Sequence, residues 1–187
     1  MGKSTAAAIL RDMGFPSYDA DKAVHSLLKK GGKGVAPVAR FFPDVIKRDA
    51  VDRKALGRAV FGHPKKLRKL EKIIHPLIRA IEKDFLRSAR ATKAQAAILE
   101  IPLLFETGAE SRCDVTLCVT APRAIQKARV LSRPGMTIEK FGAILARQMP
   151  DAQKRAMADF TVPTGESYDA TTKHLYKILS KLGIGEA

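Results

Sequence analysis

The chain opens on Met1-Gly2-Lys3-Ser4-Thr5, which matches the end of a phosphate-binding loop. The full motif reads G-x-x-x-x-G-K-[ST] and joins a buried strand to a helix. Gly2, Lys3 and Ser4 occupy its last three positions, and a helix-forming run follows them. The first N–H groups of a helix lack intrahelical partners and carry the positive end of its dipole, so they attract phosphate oxygens. The segment therefore predicts a phosphate site at the first helix of an α/β fold of the P-loop type.

Each residue of this segment has an expected role in binding ATP. Gly2 lets the backbone approach a phosphate, Lys3 bridges the β- and γ-phosphates, and the Ser4 hydroxyl coordinates Mg²⁺. Met1 and Thr5 complete the predicted nucleotide contacts. The alternative is an ordinary helix start, with Ser4 or Thr5 as the N-cap. No strand and no first glycine precede Gly2 in this sequence, so we expect the sequence to begin inside the motif, with the first strand of the fold upstream.

The rest of the chain alternates apolar runs with helical patterns. Continuous apolar runs suit parallel strands that are covered on both faces, and they occur at 96–100, 114–119 and 160–162. A short strand is expected at 15–18, running into Asp19-Ala20-Asp21, and a helix is expected to follow to about 30. Further helices are expected at 3–13, 122–133, 137–149 and 168–182. Residues 34–91 read as helical throughout. We therefore expect a nucleotide-binding core over 1–33 and 92–187, with a lid at about 123–150, and a helical substrate-binding insertion over 34–91.

The formal net charge of +15 requires an anionic partner or a basic surface. It suits either nucleic acid or a polyanionic small molecule. Aromatic residues are only 6% of the chain and tryptophan is absent, so the stacking platform of a nucleic-acid module is not evident. The sequence thus favours small-molecule phosphates. Two rival hypotheses stay open. One is a basic nucleic-acid-binding protein that uses residues 47–93, and the other is a catalytically impaired P-loop kinase relative, because a loop without its front half lacks several backbone donors.

Hydropathy and cysteine usage indicate a cytoplasmic protein. No apolar run is long enough to span a bilayer, and the N-terminal residues given do not resemble a secretory signal. Cys113 and Cys118 fit neither a zinc pair nor a C-x-x-C redox motif, so both are expected to be buried thiols.

Three carboxylates follow predicted strands. In open α/β sheets, ligands bind at the carboxyl ends of the strands. Asp19 and Asp21 come after the second strand, and either could accept a proton from a hydroxyl nucleophile. The alternative is that one of them only caps the next helix. Glu100 ends the 96–100 run, where a carboxylate would help to hold Mg²⁺.

Polar side chains flank a break at Pro134-Gly135. This layout indicates two helices joined by a hinged tip, a lid that could close over a phosphoryl group in transfer. For any single arginine, the alternative is a solvated helix face. The side chains concerned are Gln126, Arg129, Arg133, Arg147 and Gln148.

Taken together, these segments resemble the bacterial dephospho-coenzyme A kinases over nearly the whole chain. The matching stretches, in order, are GKST, YDADKAVH at 18–25, IIHPLI at 73–78, LEIPLLFE at 99–106, VTAPRAIQKARVLSR at 119–133, ARQMP at 146–150 and residues 158–165. The resemblance implies transfer of the γ-phosphoryl group of ATP to the ribose 3′-hydroxyl of dephospho-CoA. The implied partners are therefore ATP, Mg²⁺ and dephospho-CoA, with no membrane.

The resemblance also assigns residues. The implied catalytic residues are Asp21 as the base, Arg133 as the lid arginine, and Lys3. Arg129 and Gly165 join the ATP site. Asp19, His75, Pro102 and Leu103 join Asp21 on the dephospho-CoA side, although His75 could instead lie in the core or cap a helix, and Leu103 could be a packing residue. Glu100 stands where an aspartate is more usual, and Pro163-Thr164-Gly165 replaces a more asparagine-rich ending.

Overall fold

A computed structural model describes residues 2–146 and 148–185. The chain divides into two compact units. The first comprises the described residues of 1–17 and 100–187, and the second is Tyr18–Leu99. The chain passes from one unit to the other within strand β1 (Ser17–Asp19) and again within strand β4 (Ile98–Glu100), and these two strands pair with each other.

The first unit is an α/β layer structure. Strand β5 pairs in parallel with strand β6, in the register Leu117↔Phe160 to Thr120↔Pro163. Helix α9 packs against both β6 and α1, and Val162 and Leu175 are almost completely buried. Besides β5 (Leu117–Thr120) and β6 (Phe160–Pro163), the unit contains α1 (Lys3–Asp12), α6 (Arg123–Leu131), α7 (Ile138–Leu145), α8 (Asp151–Met157) and α9 (Tyr168–Lys181). The predicted parallel pairing is confirmed.

The second unit is built around a long helix, α5 (Pro64–Ala91). Helices α2 (Ala20–Leu28), α3 (Val35–Ala39) and α4 (Arg53–Val60) pack against it. Their apolar faces form a core whose buried members are Leu28, Val38, Phe42, Val45, Val51, Leu56 and Ile74. The Tyr18 ring lies 5.7 Å from that of Phe85, which ties the start of the unit to α5.

One part of the second unit differs from the predicted all-helical pattern. Strands β2 (Ile46–Lys47) and β3 (Ala50–Val51) form an antiparallel hairpin after a 3-10 turn. Both turn residues, Arg48 and Asp49, have positive φ values of 49° and 61°. The turns of such tight hairpins usually contain Asn-Gly or a similar pair, which can be recognised in the sequence. Because Arg-Asp carries no such signal, the sequence prediction for this segment was wrong.

Helix boundaries in the first unit also differ from the predicted ones. The predicted helix 137–149 ends at Leu145, and a separate helix α8 follows at Asp151–Met157. Pro150 is the N-cap of α8 and marks where the second helix begins, because proline disfavours the interior of a helix. Helix α1 ends before Gly14, whose φ of 92° is the left-handed conformation expected of a glycine stop.

Candidate active site

The phosphate-loop segment forms a sharp turn into helix α1. Gly2 has φ 70° and ψ 4°, and its carbonyl accepts a hydrogen bond from the Ala6 N–H at 2.9 Å. Ser4 and Thr5 lie inside the first helical turn and make no capping bond, so the alternative that one of them is the N-cap is wrong. The first turn contains no acidic side chain, which leaves its N–H groups free to attract an anion. Met1 lies outside the described residues.

The Lys3 side chain meets the predicted metal-binding carboxylate. Its Nζ lies 3.2 Å from Glu100 Oε2, and the Glu100 side chain is only 4% exposed. The other carboxylate oxygen, Oε1, accepts a hydrogen bond from Arg11 at 2.9 Å. The structure thus brings together the lysine and the carboxylate that the sequence assigned to one site, and it adds an arginine.

A second cluster lies behind the turn. Thr164 is 3% exposed, and its hydroxyl donates to the Thr120 carbonyl at 3.0 Å. Arg129 donates from Nη1 to the Thr164 carbonyl at 2.8 Å. A Cβ added to Gly2 would lie 2.7 Å from the Thr164 Cβ, and one added to Gly165 would lie 2.5 Å from Pro122 Cδ. Arg129 and Gly165 therefore lie beside the same buried segment, which packs directly on the Gly2 turn.

We expect Gly2→Ala to raise the KM for ATP and to lower the melting temperature. The substitution adds backbone strain of about 1–2 kcal/mol and a steric overlap with Thr164. Gly14→Ala is the matched control, since Gly14 also has a positive φ, 92°, but has nothing within 4 Å of its added Cβ. Thermal unfolding and ATP titration of both variants separate strain from overlap. Equal losses in the two variants would contradict the role of the close contact.

The second unit carries the predicted base. Asp19 caps α2 by accepting a hydrogen bond from the Lys22 N–H at 3.1 Å, as the capping interpretation predicts, and its contact with a substrate stays a prediction. Asp21 lies in the first turn of α2 with an exposed side chain. Within the described residues it makes no hydrogen bond or ion pair, so its carboxylate is free for other chemistry.

Three predicted substrate-binding residues are exposed. His75 lies inside α5, directly before Pro76, with its ring exposed. The core and helix-capping alternatives for His75 are therefore wrong. Pro102 and Leu103 follow β4, and Leu103 is 40% exposed, so part of its side chain is accessible. Their contact with a substrate stays a prediction.

The predicted lid is a helix, a turn and a second helix. Arg133 is the second residue after α6 and is exposed, and its carbonyl accepts from the Met136 N–H at 3.1 Å. Gly135 has φ 73°, which lets the chain reverse after Pro134. Gln126 and Gln148 line a cleft of about 320 Å³ between these helices. Arg147 lies outside the described residues.

Comparison with known proteins decides the family. The family model for dephospho-CoA kinase matches residues 1–169. A dephospho-CoA kinase of Paramagnetospirillum magneticum is 56% identical over 83% of this chain and 73% of its own length. A second, from Rhizobium meliloti, is 47% identical over 99% of this chain and 94% of its own. The chain belongs to the dephospho-CoA kinase family.

Solved structures agree with this assignment of the fold. A crystal structure from Thermus thermophilus superposes with a TM-score of 0.81 at 34% identity, covering 97% of this chain and 92% of that one. The dephospho-CoA kinase of Campylobacter jejuni gives a TM-score of 0.71 at 28% identity, covering 97% and 91%. Among the described residues of this dephospho-CoA kinase family member, no helix combines the length and apolar character that crossing a membrane requires.

Sequence reasoning missed one partly buried ion pair beside the lid. Glu106 Oε1 lies 2.7 Å from Lys154 Nζ and accepts from the Met149 N–H at 2.9 Å. Burial acts to raise the pKa of Glu106, but these bonds outweigh it and hold the pKa below its ordinary value. Glu106 therefore fastens the segment after β4 to the end of the lid and to α8. No local pattern announces this pair, because Lys154 lies far along the chain.

We expect Glu106→Gln to destabilise this dephospho-CoA kinase family member by about 1.5–3 kcal/mol at pH 7. Because folding lowers the pKa of Glu106, its ionised carboxylate stabilises the fold at pH values above the unfolded pKa, which is near 4.5. This stabilisation is lost as the pH falls through the folded pKa. The difference in melting temperature between wild type and variant should therefore shrink in acid. Glu166→Gln, at an exposed glutamate, is the control. A constant difference from pH 7 to pH 3 would contradict the charge pairing.

Proposed function

We propose that this chain transfers the γ-phosphoryl group of ATP to the 3′-hydroxyl of the ribose of dephospho-CoA. The observation that carries the proposal is the pairing of Lys3 with the buried Glu100 at the Gly2 turn, in a chain of the dephospho-CoA kinase family. This arrangement supports the binding of nucleotide phosphates at the start of α1.

The proposed step is an in-line displacement. The 3′-hydroxyl oxygen forms a bond to the γ-phosphorus while the bond from that phosphorus to the bridging oxygen breaks, and ADP leaves. Asp21 takes the hydroxyl proton; its exposed carboxylate is free of bonds within the described residues. Lys3 and the N–H groups of the first turn hold the phosphates, and Arg133 approaches the transferring group from the lid. Because these positive groups interact with the charge that develops in the transition state, they lower the barrier to transfer.

The side-chain oxygens beside the Gly2 turn fit Mg²⁺. This ion prefers oxygen ligands and is usually bound by one or two carboxylates together with substrate phosphates. Ser4 offers an exposed hydroxyl, and Glu100 offers Oε2 once Lys3 moves to the phosphates. These two residues would hold the ion, which supplies charge neutralisation at the phosphates when bound. Within the described ranges no group of three or more His, Cys, Asp or Glu side chains could hold a metal ion. Phosphate oxygens of the nucleotide would add further ligands.

The domain roles follow from this proposal. Residues 1–33 and 92–187 bind ATP, with 123–150 as the lid, and residues 34–91 bind dephospho-CoA through His75. Pro102 and Leu103 contribute to the same substrate. Arg129 contributes to the ATP site, Gly165 lies near its adenine, and Thr5 lies with the phosphates. The cytoplasm is the proposed compartment, which keeps thiols reduced. Cys118 is buried as expected, whereas Cys113 is only partly buried, so the expectation of a buried thiol is wrong for Cys113.

The test is an assay of the purified chain with ATP, Mg²⁺ and dephospho-CoA. We expect ADP release and addition of one phosphate to dephospho-CoA, observed by mass spectrometry. CoA itself is the control acceptor, because its 3′-hydroxyl already carries a phosphate. Phosphate transfer to CoA at the same rate, or ADP release that does not depend on dephospho-CoA, would contradict the proposal.

A further inference from the structure

Glu100 is a buried carboxylate held by two cations. Its Oε2 faces Lys3 Nζ at 3.2 Å, and its Oε1 faces Arg11 Nη1 at 2.9 Å. Ser17 completes the cluster, because its hydroxyl accepts from Arg11 at 3.1 Å and donates to Glu100 Oε1 at 3.3 Å. The Glu100 side chain is 4% exposed, whereas those of Lys3 and Arg11 are 34% and 41% exposed. One buried negative charge is therefore shared between two partly exposed positive charges.

The two cations differ in their distance from the phosphate site. Lys3 is the first residue of α1, beside the Gly2 turn. Arg11 lies about 12 Å further along the helix axis, at the far end of α1, and its guanidinium is fixed by both Ser17 and Glu100. Only Lys3 is therefore placed to follow an incoming phosphate, while Arg11 stays with the carboxylate.

The second cation matters because Lys3 alone could not keep the buried Glu100 charge paired while also binding a phosphate. A carboxylate buried without a partner is strongly unfavourable. If Lys3 were the only cation on Glu100, the lysine could reach a phosphate only by leaving that charge unpaired. With Arg11 and Ser17 on Oε1, the charge remains paired when Lys3 departs.

We propose that Arg11 is a positioning residue for the phosphate-binding lysine. By neutralising Glu100, it lets Lys3 exchange the carboxylate for the phosphates of ATP. This inference rests on the proposed ATP-dependent function. It differs from a purely structural role, in which Arg11 would only fasten α1 to the ends of β1 and β4 and would leave the affinity for ATP unchanged.

The test measures ATP binding by calorimetry in EDTA, so that any role of Glu100 toward Mg²⁺ does not enter. We expect Arg11→Ala to weaken ATP binding about tenfold, the scale of one charge-assisted hydrogen bond, and Arg11→Lys to retain part of the affinity. The melting temperature of each variant reports the fold. Lys173→Ala, at an exposed lysine of α9, controls for the loss of one positive charge and should leave binding unchanged.

The decisive comparison places Arg11→Ala in a Glu100→Gln background. Without the carboxylate there is no charge to neutralise, so Arg11→Ala should then change ATP affinity little, and the double-mutant cycle should show strong coupling. An equal loss of affinity in both backgrounds would overturn the inference. So would a lower melting temperature with unchanged ATP binding.

The outcome is separable from that of the kinase assay. A wild-type chain that binds ATP but transfers no phosphate to dephospho-CoA contradicts the proposed function, while the calorimetry still decides the role of Arg11. A chain that is active, with ATP binding that does not respond to Arg11→Ala, overturns only the inference. A wild-type chain that binds no ATP overturns both.

Discussion

Asp21→Asn should lower kcat by about 10²–10⁴-fold, the usual contribution of a general base, while ATP binding persists. Asparagine keeps the size of the side chain and removes its ability to take the hydroxyl proton. The exposed Asp21 side chain makes no hydrogen bond or ion pair within the described residues, so the substitution breaks no such bond. Steady-state kinetics with dephospho-CoA as the varied substrate, together with ATP calorimetry, measure both quantities.

The control for Asp21 lies on another helix. Asp169 occupies the second position of α9, as Asp21 does in α2, and it is also exposed. Asp169→Asn therefore removes the same interaction with a helix dipole, worth about 0.3–1 kcal/mol, without removing a base. Asp19→Asn is the second comparison, since asparagine also caps helices well. Loss of turnover in Asp19→Asn but not in Asp21→Asn would show that the other carboxylate is the base.

Arg133→Ala should lower kcat by about 10³-fold or more, the scale on which an arginine acts in phosphoryl transfer, with a much smaller change in the KM for ATP. Arg133 follows the end of α6 at a turn containing Pro134 and Gly135, with an exposed side chain. An arginine delivered by such a segment meets the γ-phosphoryl group chiefly in the closed state. Its charge would therefore act mainly on the transition state.

Two further variants sharpen this prediction. Arg133→Lys should restore only part of kcat, because a compact ammonium does not reproduce the planar fork of a guanidinium. Arg123→Ala makes the same substitution at the first residue of α6, also exposed, and should have little effect. The lid assignment is wrong if Arg133→Ala raises only the KM, or if Arg123→Ala is equally damaging.

The alternation of elements could be predicted because it depends on short-range patterns. Continuous apolar runs indicated β4, β5 and β6, and a glycine after an apolar helical stretch indicated the end of α1. The hairpin of β2 and β3 could not be predicted in this way. Its turn residues, Arg48 and Asp49, adopt left-handed backbone conformations that are uncommon for residues other than glycine. They join the strands in the register Ile46↔Val51 and Lys47↔Ala50.

In the candidate site, too, a local motif was recognisable in the sequence, whereas a contact between distant residues was not. The expected roles of Gly2, Lys3 and Ser4 come from a local motif, and those of Asp21 and Arg133 come from the resemblance; all five roles stay predictions. The motif does not reveal the position of Arg11, which is 89 residues from its partner Glu100.

The sequence by itself determined the family and the α/β character, because local periodicity and contiguous motifs encode them, and it predicts the chemistry of the loop. Only the tertiary structure decided that Glu100 faces two cations and that Thr164 packs against the Gly2 turn. Such contacts join segments that are distant along the chain. Close packing of the whole unit fixes which side chains meet, and no local pattern of residues specifies that geometry.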